Sequence, residues 1–323
     1  MKNILNITNG DSAVAIMQKA SILGEFLPWR DVLHDGPVPD DLPLEKLSEI
    51  RVQFISDQGW GEPDKIRQSF IERDNTLKSF ECYEKVILWF EHDLYDQLQV
   101  LQILDWFHQN SHKIKSLSLI CVDQYLGMLS PDQMIALYQY EESVLDNHLD
   151  LSARAWSAFR SNSPENLIDL LKTDTSALPF LEGAIIRMLQ EYPGCFNGLS
   201  GTEQQALGIV MQKEMPPGEV FGCYQETEER RFLGGSSFWS ILHHFLESSP
   251  PLLSLPAGKK LTLPSHPDQI LAITPAGEEV FSGKKNWLEI VELDRWIGGV
   301  HLTSSNLWCW DSSSGVLVKK DFL

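Results

Sequence analysis

Apolar and polar positions alternate between two textures over the first 125 residues. Short β-type runs occur at Asn3–Thr8, Glu25–Trp29, Lys85–Phe90 and Ser116–Val122. Between them lie stretches whose apolar residues recur at helical steps. Ala13–Ala20 carries Val14 and Met17, and Pro39–Gly61 carries Leu44, Leu47, Ile50 and Phe54. Lys65–Phe80 continues in that style, and Leu94–Gln109 places Leu94, Leu98, Leu101 and Leu104 along one stripe. Strands without a polar face, alternating with helices, predict a parallel sheet covered on both sides. The expectation for residues 1–125 is therefore a Rossmann-like, doubly wound α/β domain.

From Ser130 the pattern turns helical. Ser130-Pro131-Asp132 and Ser163-Pro164-Glu165 read as helix starts, with a capping serine and proline at the first helical position. Pro179–Tyr192 is a further helix, stopped near Pro193-Gly194, and Ser200-x-x-Glu203 is a capping box for Thr202–Met211. Ser236–Glu247 is helical, Leu252–Leu255 and Gln269–Thr274 are strand candidates, and Thr274-Pro275 opens a short helix through Val280. Three helices, a hairpin and a returning helix give a winged-helix-like order. Asn306–Asp311 and Gly315–Lys320 form a last hairpin. The expected division is a domain over 1–125, a helical connecting segment over 126–178, and a winged-helix-like α+β domain with C-terminal hairpin over 179–323. The polar stretch Gln139–Asn147 is the best linker candidate.

Composition changes this picture mainly through charge. The 323 residues carry 26 Lys and Arg against 45 Asp and Glu, a formal net charge of -19. Of these, 25 acids and 12 bases fall in the first 150 residues. Such a surface argues against binding a phosphate backbone, which requires a basic face. The helix in the recognition position, Ser236–Glu247, contains no Lys or Arg, so its outward side lacks the usual readers of base edges. Nucleic acid is thus not the expected partner. No apolar run approaches the roughly 20 residues of a membrane span, and Met1–Thr8 is too short and polar for a signal peptide. Five cysteines, widely spaced and without a C-x-x-C pair, read as reduced thiols of a cytoplasmic protein.

The candidate chemistry lies at strand ends. Ligands of open α/β sheets collect beyond the carboxyl ends of the strands. The corresponding loops hold Asn9, Gly10, Asp11 and Ser12; Arg30, Asp31, His34 and Asp35; Glu91, His92 and Asp93; and Asp123. Carboxylates and imidazoles together suit divalent-metal binding or acid–base work. His34, His92 and Asp35 are the catalytic candidates. Asn9, Gly10, Asp11, Ser12 and Arg30 are the ligand-binding candidates, and Asp11 with Glu91 the metal candidates. Each has a structural alternative. Asp11 or Ser12 suits an N-cap, and so does Asp93. Asn9-Gly10 and Asp35-Gly36-Pro37 suit turns. No lysine followed by Ser or Thr trails Gly10, which excludes a Walker loop, and no nucleophile elbow is present.

Three long motifs carry a resemblance. They are Ile7-Thr8-Asn9-Gly10-Asp11-Ser12, then Pro28 through Val38 (PWRDVLHDGPV), then Leu88 through Gln97 (LWFEHDLYDQ). With Thr274-Pro275-Ala276-Gly277-Glu278 and the stretch Asp294 through Leu302 (DRWIGGVHL), they resemble a bacterial family whose N-terminal region is the DUF1835 domain of unknown function. The C-terminal motifs resemble the longer members of that family. The resemblance spans most of the chain and implies that the three motif loops meet in space.

Two functions follow as expectations. One is a small-molecule binding protein or metal-assisted hydrolase or transferase acting on a phosphate-bearing or nucleotide-like molecule at the sheet's carboxyl edge. Helix N-termini favour anions there, but the carboxylates repel phosphate unless Mg²⁺ or Mn²⁺ intervenes. The other is a non-catalytic regulator or adaptor whose winged-helix-like part contacts a protein partner, with Trp287, Trp296, Trp308 and Trp310 as candidate contact aromatics.

Overall fold

The computed structural model describes residues 3–320, which divide into two compact units. The first contains residues 3–185 and 298–300, and the second contains 186–297 and 301–320.

The first unit follows the alternation read from the sequence. Its elements are β1 (Ile4–Thr8), α1 (Asp11–Lys19), β2 (Glu25–Pro28), the two-residue β3 (Gly36–Pro37), α2 (Leu44–Asp57), α3 (Pro63–Lys78), β4 (Lys85–Glu91) and α4 (Leu94–Gln109). They continue with β5 (Leu117–Val122), α5 (Pro131–Ala136), β6 (Glu142–Ser143), α6 (Asp146–Arg160) and α7 (Glu165–Leu171). Five strands form one sheet in the order β2-β1-β4-β5-β6. The first four are parallel and β6 is antiparallel to β5. The polar stretch expected as a linker thus supplies a sheet edge: Ser143 pairs with Ser118. Both residues of β6 are exposed, so backbone pairing rather than an apolar face forms that strand.

Burial on both sides of β4 explains its apolar run. Ile87 and Trp89 join Ala13 and Met17 of α1, Ile120 and Val122 of β5 and Met134 of α5 in one cluster. The Trp89 indole N–H donates to Asn6 Oδ1 at 3.0 Å, which satisfies two polar groups in that layer. Val86, Leu88 and Phe90 alternate to the opposite face. There α4 packs on β4 and, with its other side, on α6. A helix enclosed in this way is buried almost all round, polar residues included. Packing of α6 on α4 places residues expected as a connecting segment within the first unit.

In the second unit, whose boundary falls inside α8 (Leu181–Leu189), the helices are α9 (Gly201–Gln212), α10 (Pro217–Thr227), α11 (Gly235–Glu247) and α12 (Pro275–Phe281). Strands β7 (Leu253–Ser254) and β8 (Ala272–Ile273) pair antiparallel, and Met215 adds a bridge to Leu271. Strands β9 (Asp294–Gly298) and β10 (Val300–Thr303) precede the hairpin of β11 (Leu307–Asp311) and β12 (Val316–Lys320). The Ser200–Glu203 capping box and the Thr274 cap are both present. Ser163 does not cap α7. Pro164 occupies that position without a side-chain bond, while the Ser163 hydroxyl donates to Glu165 instead. Among the described residues no helix is long and apolar enough to cross a membrane.

Candidate functional site

The first turn of α4 is the hub of the first unit's carboxyl edge. Asp93 caps this helix, its Oδ1 accepting the Asp96 N–H at 3.2 Å. Capping fixes Asp93 beside Asp96 and brings both next to Glu91 at the end of β4. All three carboxylates are buried, and one oxygen of each lies within 4.8 Å of the others. Asn9, at the end of β1, bridges them: its amide donates to Glu91 Oε1 and to Asp96 Oδ2, each at 2.9 Å. Glu91 Oε1 also accepts the Leu126 N–H at 2.8 Å from the segment after β5. Asp96 Oδ1 accepts the Glu91 N–H at 2.7 Å. The ends of β1 and β4 and the segment after β5 are therefore joined by hydrogen bonds through this turn.

Electrostatics at this turn are unusual. Burial pushes the Asp93 carboxyl up to about 8, and the neighbouring Glu91 charge adds to the effect. Burial likewise raises Asp96 well above the usual carboxylate range, helped by the charges of Asp93 and Glu91, and raises Glu91. Desolvation with like charges close by is the physical cause, since each proton bound relieves both penalties. Such a cluster titrates as a unit. The Tyr95 phenol, one residue before Asp96, is also raised, by burial and then by the Asp96 charge.

His34 and Asp35 lie on a segment that two arginines shape. Arg51 of α2 is fully buried. Its Nε donates to Asp31 Oδ1 at 3.0 Å, its Nη1 to the Asp35 carbonyl at 2.7 Å, and its Nη2 to the Val32 carbonyl at 2.7 Å. Arg73 of α3 lies 3.6 Å from the other Asp31 oxygen and stacks over Trp29 and Phe70. Gln99 of α4 donates to the Asp31 carbonyl, and Gln102 accepts from the Trp29 indole. The planar fork of Arg51 thus ties three carbonyl- or carboxylate-bearing residues into one turn. The His34 ring meets Tyr95 edge-on at 5.9 Å, and its Nε2 is 3.6 Å from Asp35 Oδ2. Tyr95 places His34 next to the first turn of α4. The buried His92 packs against Tyr125 and Phe180 at 5.3 and 5.9 Å.

The remaining expected residues sit at the exposed margin. Asp11 is the first residue of α1 and does not cap it. Gly10 holds the N-cap position with no side-chain bond, and Ser12 is exposed. Asp11 instead accepts two hydrogen bonds from Arg30, at 2.8 and 2.6 Å, and this pairing holds its carboxyl below the usual range. Arg30 also donates to Ser69 Oγ and has a left-handed backbone, φ 59°. Asp11 and Glu91, expected as metal partners, thus have different companions: Glu91 joins Asp93 and Asp96, and Asp11 joins Arg30. Asp123 is exposed.

Asp96, Arg51 and Arg73 were outside the sequence expectation, although each left a trace. Arg51 follows Leu47 by four positions and Arg73 follows Phe70 by three, so both arginines fall on apolar helix stripes where a charge requires a buried partner. Asp96 follows Asp93 by three, which stacks the two on one helix face.

The second unit holds its own buried polar cluster. Arg187 pairs with Glu191 at 2.7 Å and with Glu228 at 2.5 Å, and Arg295 reaches Glu191 at 3.3 Å. Thr202 and Tyr224 hydroxyls donate to Glu191 and Glu228 respectively. Of the four tryptophans expected as contact residues, Trp287 and Trp308 belong to the core, because their rings fill it, and Trp296 and Trp310 are half-buried. No protein-family model matches the chain, and no curated protein matches it.

Proposed function

We propose that the first unit is a Rossmann-like domain that binds a small phosphate-bearing or nucleotide-like molecule through a divalent cation, Mg²⁺ or Mn²⁺, and assists its hydrolysis or transfer. The observation that carries this reading is the triad of buried carboxylates Glu91, Asp93 and Asp96, drawn together at the carboxyl edge with no cationic side chain among them. A hard divalent cation with oxygen ligands is the natural counter-charge for such a set. Asn9 would orient two of the three carboxylates, and the open, uncapped start of α1 at Gly10 would offer backbone N–H groups to an anion. His34 and His92, each beside this turn, are the proton-transfer candidates, with Asp35 beside His34. The resemblance to the DUF1835 family belongs to this reading, since its motif loops are the ones joined at α4. In the same reading α9–α12 with β7 and β8 form a winged-helix-like unit. Its acidic surroundings favour a protein contact over DNA, and Trp296 and Trp310 supply its aromatic candidates.

Metal binding here displaces a proton in this reading, because Asp93, raised to about 8, keeps its proton at pH 7. Calorimetric titration with Mn²⁺ in buffers of different ionisation enthalpy is expected to show binding with proton release, tightening as pH rises from 6 to 8. Asp93→Asn is expected to weaken it by tenfold or more, and His92→Ala to abolish turnover of a phosphoester panel while Mn²⁺ still binds. No heat of binding at any pH, with both proteins inert toward the panel, would sink the proposal.

A further inference from the structure

A cleft of about 190 Å³ opens between α2 and α3. The two helices run antiparallel, so Glu45 meets Lys78, Ser48 meets Asp74 and Val52 meets Phe70. At the turn of this hairpin Trp60 and Ile66 pack against Val52, Ile55 and Phe70 and close one end. The ion pair of Glu45 with Lys78 closes the other. Between these ends the floor is made by Ser48, Val52, Phe70 and Asp74, all buried. The Ser48 hydroxyl donates to Asp74 Oδ2 at 2.6 Å. Arg73 donates to Ser48 Oγ at 2.8 Å and to Asp74 Oδ1 at 2.9 Å, and its guanidinium lies 4.1 Å over the Phe70 ring. The polar atoms of the floor are thus satisfied from within the protein. What the floor offers a ligand is chiefly Val52 and Phe70.

The walls carry the charges. Glu45 pairs with Lys78, and Glu49 pairs with Lys46 at 2.9 Å. Arg67 differs, since among the described residues its guanidinium has no ion-pair partner. Ile71, four positions on, lines the same wall and is 47% exposed, so apolar surface beside the floor stays in water. Residues four apart share a helix face, which sets one uncompensated positive charge a single turn from an apolar patch. We propose that this cleft binds a small carboxylate with a compact apolar body. The carboxylate lies on Arg67, and the body covers Val52, Phe70 and Ile71. Sites for drug-sized ligands occupy about 300–1,000 Å³, so a cleft of about 190 Å³ selects a molecule of few heavy atoms. A guanidinium holds a carboxylate through two parallel bonds, and Glu45, Glu49 and Asp74 in the same lining repel the second negative charge of a phosphate. An amine gains little, because each of those three carboxylates already has a cation. The cleft shares none of its lining with the carboxylate triad at α4 and needs no metal.

The test follows the full chain, labelled at its valine and isoleucine methyl groups, by NMR while 4-methylpentanoate is added. Saturable shifts are expected at the methyls of Val52 and Ile71. The amide 4-methylpentanamide keeps the body and lacks the charge. It is expected to bind about fivefold more weakly, the worth of one exposed ion pair. Arg67→Gln is expected to bring the acid down to the affinity of the amide and to leave the amide unchanged. Ile71→Ser is expected to weaken both. Arg67 and Ile71 are exposed, so neither change threatens the fold, and the remaining methyl signals check that directly. The proposal is overturned if the acid causes no saturable shift at these methyls, or if Arg67→Gln binds it as well as the wild type. Tighter binding of 4-methylpentylamine than of the acid, or no effect of Ile71→Ser, would overturn it equally.

Discussion

Each unit buries a group of carboxylates, and the two groups are electrostatic opposites. Around Glu191, two arginines and a threonine hydroxyl face the carboxyl. Their charges hold it down to about 2 even though burial opposes them. Around Asp93 the neighbours are two more carboxylates and an amide, and burial raises the carboxyl to about 8. The first arrangement is complete in itself. A buried ion-pair network with hydroxyl donors needs nothing further and ties the last residues of α8 to α9 and α10 within the second unit. The second arrangement is neutralised only by protons or by something that replaces them. Burial alone therefore does not mark a site. A site is marked by buried charge without a built-in partner.

Removing the built-in partner of the Glu191 group should have the largest effect. Arg187→Met keeps much of the side-chain volume over Phe232, which the guanidinium covers at 4.7 Å, but strips Glu228 and Glu191 of their closest cation. Breaking a buried pair by deleting one member costs about 3–5 kcal/mol. Urea unfolding of the variant at pH 7 should show that loss, and it should shrink as pH falls and the freed carboxylates protonate. A loss under about 1 kcal/mol would mean that Arg295 alone sustains the network, and the contrast between the two groups would weaken.

The next effect concerns pH and has opposite signs in the two units. Glu191 is lowered in the folded state, so its contribution is present above the unfolded carboxylate range and is lost as pH falls toward about 2. Asp93 is raised, so the folded state binds its proton more tightly than the unfolded chain does. The associated stability is present at acid pH, declines as pH rises from the ordinary carboxylate value toward about 8, and is absent above that. Melting temperatures measured from pH 5 to 9 without divalent cation should therefore fall on the alkaline side. Glu91→Gln should flatten that fall. It keeps the Oε1 acceptor for Asn9 and Leu126 and removes the charge that raises Asp93 and Asp96. The gain expected at pH 9 is about 1–2 kcal/mol, an order of one pKa unit. An unchanged alkaline slope in Glu91→Gln would show that burial alone sets the titration.

How much of this contrast the sequence carried depends on which residues are asked. The buried run Lys85–Phe90 and the helix Leu94–Gln109 were legible, because a strand with no polar face and a four-step leucine stripe each have one reading. Glu91, His92 and Asp93 were legible as a loop at a strand end, and that loop is where the carboxylates gather. Asp96 was not, since a polar residue in the first turn of a helix usually faces water, whereas here the Asn9 amide and the Glu91 N–H hold its carboxylate inward. Arg51 and Arg73 were hidden for the converse reason: helical charge reads as surface until the loop it holds is in place. Helix α10 was missed because Pro216-Pro217-Gly218 reads as a break, although proline at N1 is also a start. The pairing of Gly194 with Trp310 joins residues remote in sequence, and no local pattern encodes it.

The smallest expected effect lies at the margin of the site, where Arg30 and Asp11 form a close pair that is nonetheless exposed. Its geometry rivals that of Arg187 and Glu228, with two short bonds from one guanidinium to one carboxylate. Solvent makes the difference. The Asp11 side chain is 70% exposed and the Arg30 side chain 42%, and exposed ion pairs are typically worth 1 kcal/mol or less because water and salt screen them. Arg30→Ala should therefore shift unfolding by no more than about 1 kcal/mol, and raising the salt concentration should reduce the difference. Loss of the left-handed Arg30 side chain leaves the backbone strain at that position in place, so Arg30→Gly is the sharper variant: it removes the same ion pair and relieves the φ of 59°. If Arg30→Gly proves as stable as the wild type while Arg30→Ala does not, the ion pair serves chiefly to hold an unfavourable backbone, and its free energy has gone into shaping the loop that leads to Asp31 and His34.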